Sequence, residues 1–208
     1  MAKKVSVIDY GRGNLGSVAK ALEVAGGEVR VVKDRAEVLA ADRVVLPGQG
    51  AFADCMTTLA SRGLLEAVRE KIEGGTPYLG LCLGLQILFE HSEEHGGKEG
   101  LGIIPGRVIR FPDPGFTQLK VPHMGWNSIR KEREAGLFSR IPQEEYFYFV
   151  HSYFAQLTPD NRNWVAATTD YGTNFISAVS KDNVHATQFH PEKSQSAGIR
   201  LLENFLAL

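Results

Sequence analysis

Between Pro77 and Phe89 the chain reads Pro-Tyr-Leu-Gly-Leu-Cys-Leu-Gly-Leu-Gln-Ile-Leu-Phe, and few folds accommodate such a stretch. An apolar run closing at Leu81 has the character of a strand buried on both faces of a parallel sheet. Leu85, Leu88 and Phe89 then follow at helical spacing. Between the two, Cys82 stands in Gly80-Leu81-Cys82-Leu83-Gly84. This is the layout of a nucleophile elbow, a sharp strand-to-helix turn that lifts a side chain out of the sheet while glycines let neighbouring backbone close in. Free N–H groups and the dipole at a helix start favour the thiolate form of such a cysteine. A buried core cysteine would read the same way over these few residues, so the elbow needs a second signal.

That signal lies a hundred residues on, in Gln188-Phe189-His190-Pro191-Glu192-Lys193-Ser194, after the strand-like Asn183–Thr187. A cysteine nucleophile needs a base to take its proton and return it to a leaving amine, and the base needs an orienter. His190 and Glu192 are two residues apart, so an extended backbone would point both to one face, with Pro191 stiffening the step. Alone, His-Pro-Glu is more often an ordinary turn; with the elbow it completes a Cys82–His190–Glu192 triad.

The surrounding pattern sets the fold. Val5–Asp9, Glu28–Val32, Arg43–Leu46 and Tyr78–Leu81 read as strands, separated by a helix over Leu15–Ala25 and a longer one over Ala51–Glu73 interrupted near Gly63. Such alternation predicts an α/β fold: an open, mostly parallel sheet with helices on both faces. From about Gly100 the character changes to short β segments, Gly106–Phe111, Tyr146–His151, Trp164–Thr169, Ile176–Ser180 and Val184–Gln188, with one closing helix near Ser196–Leu206. The second half is therefore expected to be β-rich. At 208 residues, 1–208 is expected to form a single domain. A formal net charge of −1 offers no electrostatic case for nucleic acid or anionic membrane. Two cysteines, Cys55 and Cys82, make neither a disulfide framework nor a metal cluster, and suit a reducing cytoplasm. Met-Ala-Lys-Lys runs straight into the first strand, and no apolar run has membrane-spanning length.

Two glycine loops invite functional readings. Gly11-Arg12-Gly13-Asn14-Leu15-Gly16 follows a strand, opens a helix, and has Asp34 about 20 residues on, which fits a dinucleotide fingerprint. Tyr10 intrudes before the first glycine and no second domain remains for a hydride acceptor, so a tight turn packing the first helix on the sheet is the weightier alternative. Leu46-Pro47-Gly48-Gln49-Gly50 ends another strand, where free N–H groups could hold an oxyanion. With the N–H of Leu83, which follows the nucleophile, the Gly48–Gln49 peptide would supply the second donor. A plain turn is the alternative if that loop acts alone.

The elbow Gly80–Gln86 and His190-Pro191-Glu192 resemble those of the class I, or triad, glutamine amidotransferases, and the resemblance extends from Asp9 to Ser194. It implies an amidotransferase fold that hydrolyses the side-chain amide of glutamine, without metal or organic cofactor, and passes ammonia to a synthase. Within the family, Ile8–Leu15, Val121–Asn127 and His151–Tyr153 are most similar to the glutaminase subunits that pair as heterodimers with a (β/α)8-barrel cyclase of histidine biosynthesis. The resemblance implies glutamine contacts at Gly50, Gln86, Glu94, His151, Ser152 and Tyr153. It implies a partner interface at Asp9, Tyr10, Asn14, His123, Met124, Trp126, Asn127, Tyr148 and Lys193. Gln49 departs from the apolar residue usual at its position. Two other readings stay open: a free-standing cysteine hydrolase, which would need no partner, and an interaction module with a vestigial triad.

Overall fold

The computed structural model describes residues 3–112 and 119–208. Its elements, in chain order, are β1 (Lys3–Ile8), α1 (Leu15–Val24), β2 (Gly27–Val32), α2 (Arg35–Leu39), β3 (Val44–Gly48), α3 (Phe52–Ser61), α4 (Leu64–Glu73) and β4 (Tyr78–Cys82). Then come the single-turn α5 (Leu83–Gln86), β5 (Phe89–Ser92), β6 (Lys98–Glu99), β7 (Ile104–Arg110), β8 (His123–Ser128) and β9 (Arg130–Lys131). The chain closes with β10 (Tyr146–His151), β11 (Tyr153–Gln156), β12 (Val165–Asp170), β13 (Asn174–Lys181), β14 (Val184–Thr187) and α6 (Gln195–Ala207).

Strands β2-β1-β3-β4-β14 run parallel and form one half of the main sheet. Beyond β14 the direction reverses, through β13, β11 and β7, with β5 and β6 at the far edge and β12 and β9 branching from β13. Alternation within the strands divides the core in two. Val44 and Leu46 face Leu59, Val68 and Ile72 of α3 and α4, whereas Val45, Leu79 and Leu81 face Leu22 of α1 and Leu201 and Phe205 of α6. Helices thus cover both faces of the parallel half, as the strand–helix alternation implies.

Several elements differ from the sequence reading. The long second helix is two helices, hinged where Gly63 takes a left-handed φ of 64°. The short α2 was not expected, although its cap is plain: Asp34 accepts from the Glu37 N–H at 3.0 Å. Phe89 lies in a strand rather than on a helix, because the helix after the elbow ends at Gln86. The segment His123–Ser128, not among the strands expected from the sequence, pairs antiparallel with β10 in a separate two-stranded sheet.

The G-x-G-x-x-G loop holds no dinucleotide fingerprint. Asp34 spends its carboxylate on the α2 cap, Asp9 accepts from Gly11 N–H at 2.8 Å, and Asn14 caps α1. Gly11 and Gly13 take φ of 94° and 105°, the tight glycine turn that was the alternative, while a methyl group at Gly16 would meet nothing within 4 Å.

Candidate active site

The parallel strands β3, β4 and β14 end side by side, and a cavity of about 440 Å³ opens at their C-terminal ends. Cys82 terminates β4 with φ 55° and ψ −102°, a conformation that costs a non-glycine residue ~1–3 kcal/mol. Glycines make the bend possible. A Cβ on Gly80 would stand 2.2 Å from Gly84 O, and one on Gly84 would stand 2.1 Å from Leu46 O. The buried Tyr78 hydroxyl then donates to Gly84 O at 2.8 Å and ties the turn to the strand. The sharp elbow expected from Gly80–Gly84 is therefore present, with Cys82 and Leu83 lining the cavity.

Across from it, His190 Nδ1 and Glu192 Oε1 are 2.8 Å apart, their side chains 4% and 2% exposed. A carboxylate only accepts, so Nδ1 carries the hydrogen and Nε2 is the nitrogen left to the thiol. The two residues meet around a 3-10 turn, Pro191–Lys193, not along the extended segment expected from their spacing. Nε2 is buried and closes no hydrogen bond. Burial alone would depress the imidazolium, but the charge of the nearby Cys82, reinforced by the hydrogen bond and charge of Glu192, outweighs it and raises His190 to about 10. The turn is clamped to β10: His190 N–H donates to Tyr148 O at 2.9 Å, Tyr148 N–H donates to Ser194 Oγ at 3.0 Å, and Ser194 Oγ donates to His190 O at 2.6 Å.

Gly48 ends β3 in register with Cys82, and a Cβ there would fall 2.5 Å from Leu83 Cβ. Only glycine lets the end of β3 pack this closely against the elbow, with the Gly48–Gln49 peptide next to Leu83. The strand runs two residues further than Leu46, where the sequence reading ended it. Gln49 and Gly50 line the cavity. Glu94 lines it too, but its Oε2 accepts from Phe52 N–H at 2.6 Å and so anchors the start of α3.

The remaining expected substrate residues, Gln86, His151, Ser152 and Tyr153, also line the cavity, with three of them bound into a polar network beneath it. Tyr153 O accepts from His151 Nδ1 at 2.8 Å and from Gln86 Nε2 at 2.9 Å, filling both lone pairs of the carbonyl. His151 Nε2 must then accept from His123 Nδ1, 3.0 Å away, and His123 Nε2 from Asn127 Nδ2 at 3.3 Å. Burial holds both rings neutral, lowering His123 to about 4 and His151 to about 3. Both ring nitrogens of His151 are thus committed within the protein.

The expected partner residues divide. Tyr10 is wholly buried beneath α3 and His123 is 2% exposed, so neither side chain faces a partner. Met124 and Trp126, by contrast, are 62% and 47% exposed on the outer face of β8. Across the pair, Tyr148 meets Trp126 edge-on at 6.1 Å and carries Lys193 over its ring at 5.7 Å. Tyr146, 56% exposed and not singled out from the sequence, extends this apolar face. Asp9 is half-buried and Asn14 exposed at the neighbouring loop, while Asn127 donates to Asp170 O at 2.9 Å. Val150 and Lys193 line the cavity, so the apolar face borders its mouth. Pro122, Val150 and Gln188 were also missed; nothing in their local sequence distinguishes them from core or turn residues.

Comparison with known proteins agrees with this geometry. The glutamine amidotransferase class-I family profile matches residues 6–208. The imidazole glycerol phosphate synthase subunit HisH of Syntrophotalea carbinolica is 53% identical over 204 residues, covering 97% of this chain and 98% of its own length. The corresponding subunit of Aromatoleum aromaticum is 52% identical over 210 residues, covering 98% and 97%. Among solved structures, PurLQS from Thermotoga maritima superposes with a TM-score of 0.76 at 17% identity, over 100% of this chain and 99% of that one. The glutaminase domain of Trypanosoma brucei CTPS with bound acivicin gives 0.70 at 16% identity, over 99% and 93%. At those identities the structural likeness speaks for the fold.

Proposed function

The chain belongs to the class-I glutamine amidotransferases, and from that premise we propose that it is the glutaminase subunit of an imidazole glycerol phosphate synthase. The observation that carries this reading is the meeting of three elements at one cavity: the strained Cys82 elbow, the His190–Glu192 pair and the Gly48–Leu83 amides. Residues 1–208 act as one amidotransferase domain.

Glutamine enters with its side-chain amide over Cys82 and its α-amino and α-carboxylate ends toward Gly50, Gln86, Glu94, His151, Ser152 and Tyr153. The thiolate attacks the amide carbon, and the Leu83 and Gly48–Gln49 N–H groups hold the oxyanion. His190 protonates the departing nitrogen as ammonia leaves, giving a thioester. It then takes a proton from water, whose hydroxide attacks the thioester and releases glutamate and Cys82. Glu192 keeps the ring oriented and its charge balanced throughout.

Ammonia passes to a (β/α)8-barrel cyclase docked on Met124, Trp126, Tyr148 and Lys193 beside Asp9, Asn14 and Asn127. There it is combined with a phosphoribulosyl-formimino nucleotide to give imidazole glycerol phosphate and an aminoimidazole carboxamide ribonucleotide in histidine biosynthesis. Among the described residues no helix is long and apolar enough to cross a membrane; the site of action in this reading is the cytoplasm. The test is glutamate release by the chain alone and with the cyclase and its nucleotide. Weak release that rises by orders of magnitude in the mixture, and that is abolished by Cys82→Ser, is the expected result. Full release without the cyclase would favour a free-standing hydrolase.

A further inference from the structure

We propose that Gln188 is a positioning residue for the nucleophile: its side-chain amide donates to Cys82 Sγ at 3.5 Å and holds the sulfur as a thiolate facing the cavity. The proposal rests on the glutaminase reading, because it assigns a role within the same site.

Gln188 is completely buried, immediately after β14 and two residues before His190. An amide in such a place could present either its oxygen or its nitrogen to the sulfur. The network leaves one choice. Tyr153 O is a main-chain carbonyl and can only accept, so the group that Gln86 turns to it is Nε2. The second Nε2 hydrogen of Gln86 then points to Gln188, 3.0 Å away, which must answer with Oε1. The nitrogen of Gln188 is thereby aimed at Cys82. Flipping either amide would set two N–H groups or two oxygens against each other, a mismatch that is costly without water to relieve it. The donor's polarity is thus inherited from a fixed peptide carbonyl.

An uncharged donor suits the chemistry. Hydrogen bonds to ionised acceptors are about twice as strong as neutral ones. The amide therefore favours the sulfur when it carries charge, before attack and again when it leaves the thioester, and gives less to the acylated sulfur in between. It lowers intrinsic nucleophilicity less than it raises the thiolate fraction, since nucleophilicity follows basicity with a slope of only about 0.4–0.5. Unlike a lysine or arginine, it brings no second positive charge to compete with His190.

The test is the rate of Cys82 alkylation by iodoacetamide in the full chain across about pH 5 to 9.5. Peptide mapping counts Cys55 separately; burial pushes that thiol up to about 12, so it provides the unreactive background. Two variants are compared with the parent. Gln188→Leu removes the donor. Gln188→Glu keeps the volume and the acceptor for Gln86 but turns an oxygen toward Sγ. In each, alkylation near pH 6 is expected to slow about ten-fold, with the gap closing at high pH, and kcat for glutamine to fall more than KM changes. Should the leucine variant not fold, by circular dichroism, the glutamate variant decides alone. An unchanged pH–rate profile, even with lowered thermal stability, would overturn the proposal and leave Gln188 a packing residue. A shifted profile in a chain whose parent releases no glutamate would instead sink the glutaminase reading and leave the positioning role standing.

Discussion

At Gly48, a methyl group in place of one hydrogen would force the end of β3 and the elbow apart. The Cβ of an alanine would fall 2.5 Å from Leu83 Cβ and 3.0 Å from Gly84 N. Neither atom is the end of a flexible side chain, so the β3 terminus and the elbow would have to part. In the proposed mechanism the two oxyanion amides, Leu83 and Gly48–Gln49, would separate with them. Gly48→Ala is expected to lower kcat by about 10²–10³-fold with a smaller change in KM, the signature of a lost transition-state donor at ~3–4 kcal/mol. Steady-state glutamate release measures this, with circular dichroism to show that the sheet survives. A loss of less than about three-fold would place the oxyanion donors elsewhere. Gln49, one residue on, is exposed and meets no such restriction, which is how the chain can depart there from the usual apolar residue.

Elements, more than single residues, hold the base in place. The turn carrying His190 and Glu192 rests on α6, where a Cβ at Gly198 would lie 1.8 Å from Pro191 O. Gly198→Ala must therefore displace the turn. It is expected to cut activity at least about ten-fold and to lower the unfolding temperature, although the residue lies outside the cavity. Gly16→Ala provides the contrast. That glycine lies in α1 with open space around its Cβ position, so the change should leave activity intact and be neutral or stabilising by up to about 1 kcal/mol. Equal effects of the two substitutions on activity would refute the turn's dependence on α6. The same scale shows what could be read from the sequence. The parallel half was legible because strands buried on both faces are continuous apolar runs, and the Cys82 elbow because its glycines are forced by backbone contacts. β8 was not legible, because Pro122, Gly125 and Asn127 are turn formers and its strand character comes from pairing with β10. Tyr10 and His123 were misplaced for a related reason: a motif identifies a residue, but the packing of α3 and of Tyr171, Phe149 and Phe111 decides whether its side chain is outside. Gln188 carried no local signal at all, since its meaning depends on three partners distant in sequence.

Over the whole molecule, three neutral buried histidines set the response to acid. Burial lowers His123 to about 4, His151 to about 3 and His185 to about 4, from an ordinary value of 6.5. Once the chain unfolds, each regains that ordinary value. Between about 6.5 and 4 the unfolded state therefore binds more protons than the native state, and stability must fall as pH falls. The stability these rings contribute is complete above 6.5 and is lost progressively below it, down through their native values. The carboxylates shifted by their contacts, Glu37 and Glu132, lie below their usual 4.5, so they act only at still lower pH. The window from about 6.5 to 4.5 thus belongs to the histidines. Denaturant midpoints at about pH 7, 6 and 5 are expected to decline stepwise, with net proton uptake on unfolding throughout. A flat profile over that range would mean that the buried rings are already charged in the native protein. Two of the three rings form the link between β8 and Tyr153 O, the carbonyl that orients Gln86. Protonating His151 would remove the acceptor for His123 Nδ1 and open that link. Glutamine hydrolysis is therefore expected to fail on the acid side along with the loss of folding stability, and the two midpoints measured in one buffer series should coincide.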